Sequence, residues 1–336
     1  MKAIGYHSAR ANNAPQSLVE VDLPRPSPQN RDLLVRVDAI SVNPIDFKIR
    51  QNVPAKDSEF KVLGWDAVGE VIEVGKDCQL YQVGDKVFYS GDLSRSGSNT
   101  EYQLVDERLC GRKPKSLSAI ESAALPLTSI TAWEILFDHL SLPTKPKSED
   151  SSATILVVGA AGGVGSILLQ LAKTLCNATV IATASRQESQ SWVRSLGADY
   201  VIDHTKSLRD QIDALDIKAI DHVVSLSHTD LYYEDYISVI EPFGKIVLID
   251  DPKEINVMKA KRKSLSVHVE FMFAKSMFSK DMSSQGELLN EISKLIDENH
   301  LKTTVGNHLG GITVENVRRA HELLESGKTI GKIVLG

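Results

Sequence analysis

The sequence predicts an α/β protein in which a β-barrel-like domain accompanies a doubly wound parallel sheet. Two rhythms predict it. Up to about residue 127 the chain runs in short apolar stretches broken by Gly and Pro, with alternation like that of half-buried strands. From residue 154 onward, apolar runs without alternation recur between amphipathic stretches, as buried parallel strands and their crossover helices do. A third observation sits where the second rhythm starts. The string "TILVVGAAGGVGSILLQLAK" (154–173) joins an apolar run, a glycine-rich turn and a helical stripe.

In the first zone, "DLLVRVDAISVNP" (32–44) and "DAVGEVIEVG" (66–75) read as strands with a turn signal at each end, and "VGDKVFYS" (83–90) follows with Gly-Asp as its turn. "SAALPLTSITAWEIL" (122–136) is helical, interrupted by Pro126. The polar, Pro-containing "LPTKPKSEDSS" (142–152) is a surface loop. In the second zone, residues 155–158 form a strand, and Val164, Ile167, Leu168, Leu171, Ala172 and Leu175 recur at helical spacing. "TVIAT" (179–183), "DYVID" (199–203), "IDHVVSLS" (220–227) and "GKIVLID" (244–250) are further strands, with a helix in "QESQSWVRSLGA" (187–198). "KAKRKS" (259–264) reads as a solvated loop and "VEFMFAK" (269–275) as an edge strand. Helices over 287–299 and 314–326 and the strand "GKIVLG" (331–336) complete the chain.

A chain of 336 residues, 42% apolar and 24% charged, has room for two domains and an ample core. Its net charge of −6 and lack of a basic stripe give nucleic-acid binding no electrostatic support. No apolar run approaches the ~18 residues of a membrane span, and "MKAIGYHSARANNAPQS" lacks the apolar centre of a signal peptide, so a cytoplasmic protein is expected. Cys78, Cys110 and Cys176 are widely separated and form no CxxC pair, which speaks against a disulfide framework or a four-cysteine zinc site.

In "GAAGGVG" (159–165) glycines follow a strand and open a helix. Such a turn lets the backbone approach a pyrophosphate while the unpaired N–H groups of the helix start face it. Gly159, Ala161, Gly162, Gly163, Val164 and Gly165 are therefore the candidate cradle of a Rossmann dinucleotide-binding unit. Ala161 stands at the middle position of the usual G-x-G-x-x-G, where it allows a slightly less close approach. The next strand ends in "ATASRQ", with no carboxylate for a ribose 2′-hydroxyl. Ser185 and Arg186 suit a 2′-phosphate instead, so NADPH is the expected cofactor.

The strings "SVNPIDFKIR" (41–50), "LGWDAVGEVIEVG" (63–75), "VGDKV" (83–87), "AALPLTSITAWEIL" (123–136), "GAAGGVG" and "SLGADYVIDH" (195–204), in this order, resemble the medium-chain dehydrogenase/reductase superfamily over almost the whole chain. The resemblance is strongest to the zinc-free quinone oxidoreductase branch, which includes zinc-type alcohol dehydrogenase-like proteins. It implies a GroES-like catalytic domain over 1–127, a Rossmann NADP-binding domain over 128–275 and a return to the catalytic domain over 276–336, with the cofactor cleft between the domains. A homodimer is implied as well.

Zinc-dependent members carry Cys where this chain has Asn43, His-Glu where it has Trp65 and Asp66, and Cys near Leu127. One carboxylate cannot make a three-ligand catalytic zinc site, so no metal is expected. Without a Lewis acid, hydride transfer suits acceptors that delocalise charge themselves: a small-molecule quinone or enone. Asn43, Lys48 and Thr128 are the candidate catalytic residues that the resemblance implies, with Lys48 stabilising an enolate oxygen or protonating the product. Asp46 is expected to hold a backbone amide. Thr131, His204, Phe271, Phe273 and Lys332 are candidate cofactor contacts on the same ground, Lys332 toward a phosphate. The loop "GDLSRSGSN" (91–99) reads as a solvent loop, with a mobile lid as the alternative. Two other functions stay open: a non-catalytic NADPH-binding sensor or scaffold, and an enoyl-thioester reductase.

Overall fold

The computed structural model describes every residue except 56–58, 145–151, 216 and 218. Most of the expected surface loop at 142–152 therefore lies outside the described residues. The chain divides into two compact units, one formed by Met1–Ile130 with Phe273–Gly336 and the other by Thr131–Met272.

The first unit begins with strands β1 (Lys2–Tyr6), β2 (Val19–Asp22) and β3 (Asp32–Val42), then helix α1 (Pro44–Asn52). Strands β4 (Lys61–Val62), β5 (Ala67–Val74), β6 (Lys86–Tyr89), β7 (Tyr102–Asp106) and β8 (Cys110–Arg112) follow, and then α2 (Ala119–Ala123) and α3 (Pro126–Trp133). Strand β3 is the spine of this unit, pairing antiparallel with both β5 and β7. Its Leu33, Leu34, Val35, Ala39 and Ile40 are fully buried, as are Val68, Val71, Val87 and Phe88 on β5 and β6. The helical passage is interrupted at Pro126, as expected: α2 ends at Ala123 and Pro126 starts α3, where proline's missing N–H is tolerated.

The second unit carries β9 (Thr154–Val158), α4 (Gly163–Cys176), β10 (Thr179–Thr183), α5 (Gln187–Ser195), β11 (Tyr200–Ile202) and α6 (Leu208–Asp213). It continues with β12 (Ile220–Ser225), α7 (Thr229–Val239), β13 (Ile240–Leu248) and β14 (Ser266–Val269). Its six strands are all parallel and run in the order β11-β10-β9-β12-β13-β14. Numbered along this unit, that is 3-2-1-4-5-6, the doubly wound Rossmann order. On α4, Ile167, Leu168, Leu171 and Ala172 are fully buried, as the helical stripe requires.

The chain returns to the first unit with α8 (Ala274–Met277), α9 (Ser283–Asp297), β15 (Val305–His308), α10 (Val314–Glu325) and β16 (Lys332–Leu335). Strand β16 pairs antiparallel with β3, placing Ile333 opposite Val42. No described helix is long and apolar enough to cross a membrane.

Two segments depart from expectation. The edge strand stops at Val269 instead of running to 275. Met272 and Phe273 are both buried although adjacent, which one face of a strand cannot provide, and the chain turns there into α8. Residues Val257–Lys263 form a 3-10 helix where a solvated loop was expected, because Ala260 is buried and the Lys263 ammonium donates to the carbonyls of Ser238 and Ile240 at the end of α7.

Candidate functional site

Between β3 and α1 the chain passes through Ser41, Val42 and Asn43, and α1 begins at Pro44. The Asp46 carboxylate accepts the Asn43 backbone N–H at 2.6 Å, which fixes this entry. Burial pushes the Asp46 carboxyl up to about 7, against the pull of the Asn43 and Gly64 amides and of Lys332. Next to it lies Asp66, fully buried and saturated with donors. Its Oδ2 accepts from Ser41 Oγ at 2.7 Å, from Asn43 Nδ2 at 2.7 Å and from Lys332 Nζ at 3.0 Å. Its Oδ1 accepts from the Leu127 backbone N–H at 2.7 Å. A buried carboxylate costs several kcal/mol unless paired and hydrogen-bonded, and this one is both.

The pairing of β16 with β3 supplies the cation. With Ile333 opposite Val42, Lys332 comes alongside Asn43, and its ammonium donates to Asn43 Oδ1, Asp66 Oδ2 and, at 3.4 Å, the Val42 carbonyl. All three ammonium protons are thereby engaged, and the side chain is 3% exposed. The expected phosphate contact at Lys332 is thus replaced by a buried ion pair. Phe273, expected at the cofactor, is also buried, edge-on to Trp65 with ring centroids 6.4 Å apart. Phe271 remains 47% exposed.

The loop 91–99 does not simply face solvent. Ser98 and Asn99 are buried, Ser98 Oγ donates to the Asp66 carbonyl at 3.0 Å, and Trp65 Nε1 donates to the Asp92 carbonyl at 3.2 Å. Thr128 is buried on α3, where its hydroxyl lies within bonding distance of the Ala124 and Leu125 carbonyls, and Thr131 is buried one turn later. Lys48 is half-buried on α1.

In the parallel-sheet unit, Gly159 follows β9 with φ +78°, a left-handed conformation that favours glycine, and its N–H donates to Thr183 Oγ1 at 3.2 Å. Ala161, Gly162, Gly163 and Val164 are half-buried and open to solvent, and α4 starts at Gly163. A Cβ at Gly162 would meet only the Gly159 carbonyl, at 3.5 Å, so a ligand can approach this backbone. At Gly165 a Cβ would stand 2.3 Å from the Ala160 carbonyl oxygen, so helix and turn touch there. The first N–H groups of α4 have no partner within the helix and can face a pyrophosphate. Beyond β10, Ser185 is half-buried and Arg186 exposed, directly before α5. His204 lies past β11, its ring edge-on to Tyr232 at 6.4 Å, and partial burial lowers its pKa. These residues fit a dinucleotide.

The structure also shows residues that the sequence did not single out. Ser41 and Ser98 complete the surroundings of Asp66. Past the carboxyl ends of β12 and β13, Ser225 Oγ lies 2.8 Å from Thr229 Oγ1 and 2.9 Å from the Tyr236 hydroxyl, while Asp250 accepts from the Thr229 amide at 2.8 Å. A serine closing an apolar strand was the only signal available for that network.

Residues 29–115 match the alcohol dehydrogenase GroES-like domain, and residues 196–335 match the zinc-binding dehydrogenase family. A zinc-type alcohol dehydrogenase-like protein of Staphylococcus aureus is 39% identical over 100% of this chain and 99% of its own length. The chain belongs to the medium-chain dehydrogenase/reductase superfamily. It is an oxidoreductase of that superfamily. The crystal structure of a protein assigned as a zinc-dependent alcohol dehydrogenase from Rhizobium etli CFN 42 superposes with TM-score 0.96, at 49% identity, covering 100% of this chain and 97% of that one. A 2-methylene-furan-3-one reductase of Solanum lycopersicum is 30% identical over 94% of this chain and 74% of its own length.

The names of several relatives imply a catalytic zinc, and the donor set here does not suit one. Asn43 offers an amide whose oxygen already accepts from an ammonium, Leu127 offers no side-chain donor, and both oxygens of Asp66 are taken. Among the described residues, no group of three or more His, Cys, Asp or Glu is placed to hold a metal ion.

Proposed function

We propose that this chain is a zinc-independent, NADPH-dependent oxidoreductase that reduces quinones or the activated carbon–carbon double bond of α,β-unsaturated carbonyl compounds. The observation that carries this reading is the saturation of Asp66 by Ser41, Asn43, Leu127 and the Lys332 ammonium. Reduction of a simple ketone concentrates charge on one oxygen, which then needs a Lewis acid or a strong proton donor beside it. A conjugated carbonyl spreads the developing charge, so a few hydrogen-bond donors suffice. The tomato relative's name supports the same substrate class, a methylene-furanone being a conjugated ketone.

When bound, NADPH supplies the hydride. Gly159, Ala161, Gly162, Gly163, Val164 and Gly165 hold its pyrophosphate, Ser185 and Arg186 select the 2′-phosphate, and His204 borders the adenosine. Thr131 and Phe271 are further cofactor contacts. Lys48 donates to the oxygen on which negative charge develops, with Asn43 and Thr128 as supporting polar groups. The protein acts as a homodimer, for which β14, one of the two edge strands of the six-stranded sheet, with Val269 67% exposed, offers a pairing surface. Calorimetric titration with NADPH and NADH, followed by NADPH oxidation across enones, quinones and simple ketones, tests the reading. Tighter NADPH binding and turnover confined to conjugated acceptors are expected. Tight binding with no turnover on any acceptor would leave a binding protein in place of an enzyme.

A further inference from the structure

The parallel-sheet unit holds a buried ionisable cluster that the reading above leaves unused. Past β14, the Glu270 N–H donates to the Leu248 carbonyl at 2.9 Å, so pairing with β13 runs on beyond the strand. Alternation then turns His268 and Glu270 inward and leaves Val269 and Phe271 67% and 47% exposed. Glu270 Oε2 lies 2.6 Å from His139 Nε2, and the ring centroids of His139 and His268 are 5.4 Å apart. His139 ends a π-helical turn, Glu134–His139, that continues α3. Such turns are rare and concentrate at functional sites. From β13, the Lys245 ammonium donates to the His139 and Leu140 carbonyls at 3.0 Å each. Two adjacent strands thus grip one turn.

We infer that Glu270 is a positioning residue for the nicotinamide half of the cofactor, acting through His139. The inference deepens the dinucleotide reading above and rests on it. A doubly wound sheet takes one mononucleotide on each half, at the carboxyl ends of its strands. The glycine turn and Arg186 follow β9 and β10, which leaves the nicotinamide to the half made by β12, β13 and β14. Glu270 stands at the carboxyl end of β14, directly before Phe271, and His139 lies on the helical passage that carries Thr131. The pair therefore fixes against each other the two segments that bear these cofactor contacts. Stability alone gives no reason for it. The Glu270 side chain is 4% exposed, and its Oε1 has no hydrogen-bond partner among the described residues. A half-satisfied buried carboxylate is less favourable than apolar packing of the same volume. What a directional bond adds is a defined distance between strand end and turn.

The test is calorimetry on the full chain with NADPH and with 2′,5′-ADP, the adenosine half alone; for a chain that prefers NADH, NADH and ADP take their places. Glu270→Ala and His139→Ala should each weaken the dinucleotide by roughly 2- to 30-fold and leave the adenosine fragment unchanged. E270A/H139A should lose no more than either single variant, because both break one bond. Glu270→Gln, which keeps an acceptor for the imidazole, should restore most of the affinity. The apolar pair H139L/E270M should melt at or above the wild type and still bind the dinucleotide weakly, which separates positioning from stability. Should the alanine variants not fold, this pair carries the comparison. Equal losses for dinucleotide and fragment, additive losses in E270A/H139A, or wild-type affinity in H139L/E270M would overturn the inference and leave the dinucleotide reading intact. A wild type that binds no dinucleotide and no fragment would overturn that reading, and the inference with it.

Discussion

Arg50 Nε donates to His321 Nδ1 at 3.1 Å, joining α1 to α10, and neither side chain has any exposure. The Arg50 guanidinium also donates to Glu325 and to the Arg10 carbonyl, so one buried side chain anchors the helix that follows Asn43. Because Nδ1 accepts, the imidazole is neutral in the fold. Burial, aided by the Arg50 charge, pushes the His321 pKa down to about 3.

That shift makes a pH prediction. The unfolded histidine titrates near 6.5 and the folded one near 3, so between these values the unfolded state binds more protons. This contribution is fully present above pH 6.5 and is lost as pH falls toward 3, at up to about 1.4 kcal/mol per pH unit. Melting temperatures between pH 7 and 4 should fall more steeply for the wild type than for His321→Gln. Equal slopes would show that this histidine does not set the acid limit.

The glycine turn makes a second. A Cβ at Gly165 would stand 2.3 Å from the Ala160 oxygen, so Gly165→Ala must move the turn away from α4. Overpacking of this kind costs about 1–3 kcal/mol. The variant should melt lower and bind NADPH more weakly, measured by calorimetry on the folded fraction; unchanged affinity would remove the turn from the cofactor site.

Cofactor choice gives a third. If Arg186 meets a 2′-phosphate, the charge-assisted contact is worth about 1.5–3 kcal/mol. Arg186→Gln should then weaken NADPH by roughly 10- to 150-fold while leaving NADH nearly unchanged. An equal loss for both dinucleotides would place Arg186 elsewhere.

Lys48 gives a fourth. As a donor to the reacting oxygen it should matter for turnover and little for NADPH affinity. Lys48→Met is expected to lower kcat by on the order of 10²-fold or more, with calorimetric NADPH affinity retained. An unchanged kcat would assign the proton to another group.

Much of the fold could be read from local pattern. The unbroken apolar run at β9, the stripe on α4 and the glycine turn between them are local features, and local physics suffices for them. The glycine cradle was legible for the same reason. The polar cluster in the first unit was only half legible. Asn43 and Asp66 stood out by their positions, but the partner that completes them lies 266 residues further on, in β16. A lysine in a short closing strand carries no sign of burial, since its meaning depends on the register between β16 and β3. "FMF" (271–273) failed differently. Apolar content alone suggested a strand, whereas Met272 and Phe273 are both buried where the chain leaves the sheet and turns into α8.

The most direct measurement is NADPH oxidation by chelator-treated, metal-free protein with an enone and a quinone as acceptors and NADH as the control. The saturated Asp66 and the carboxylate-free end of β10 predict turnover that prefers NADPH and survives chelation. Activity that is lost on chelation and restored by zinc would contradict the account.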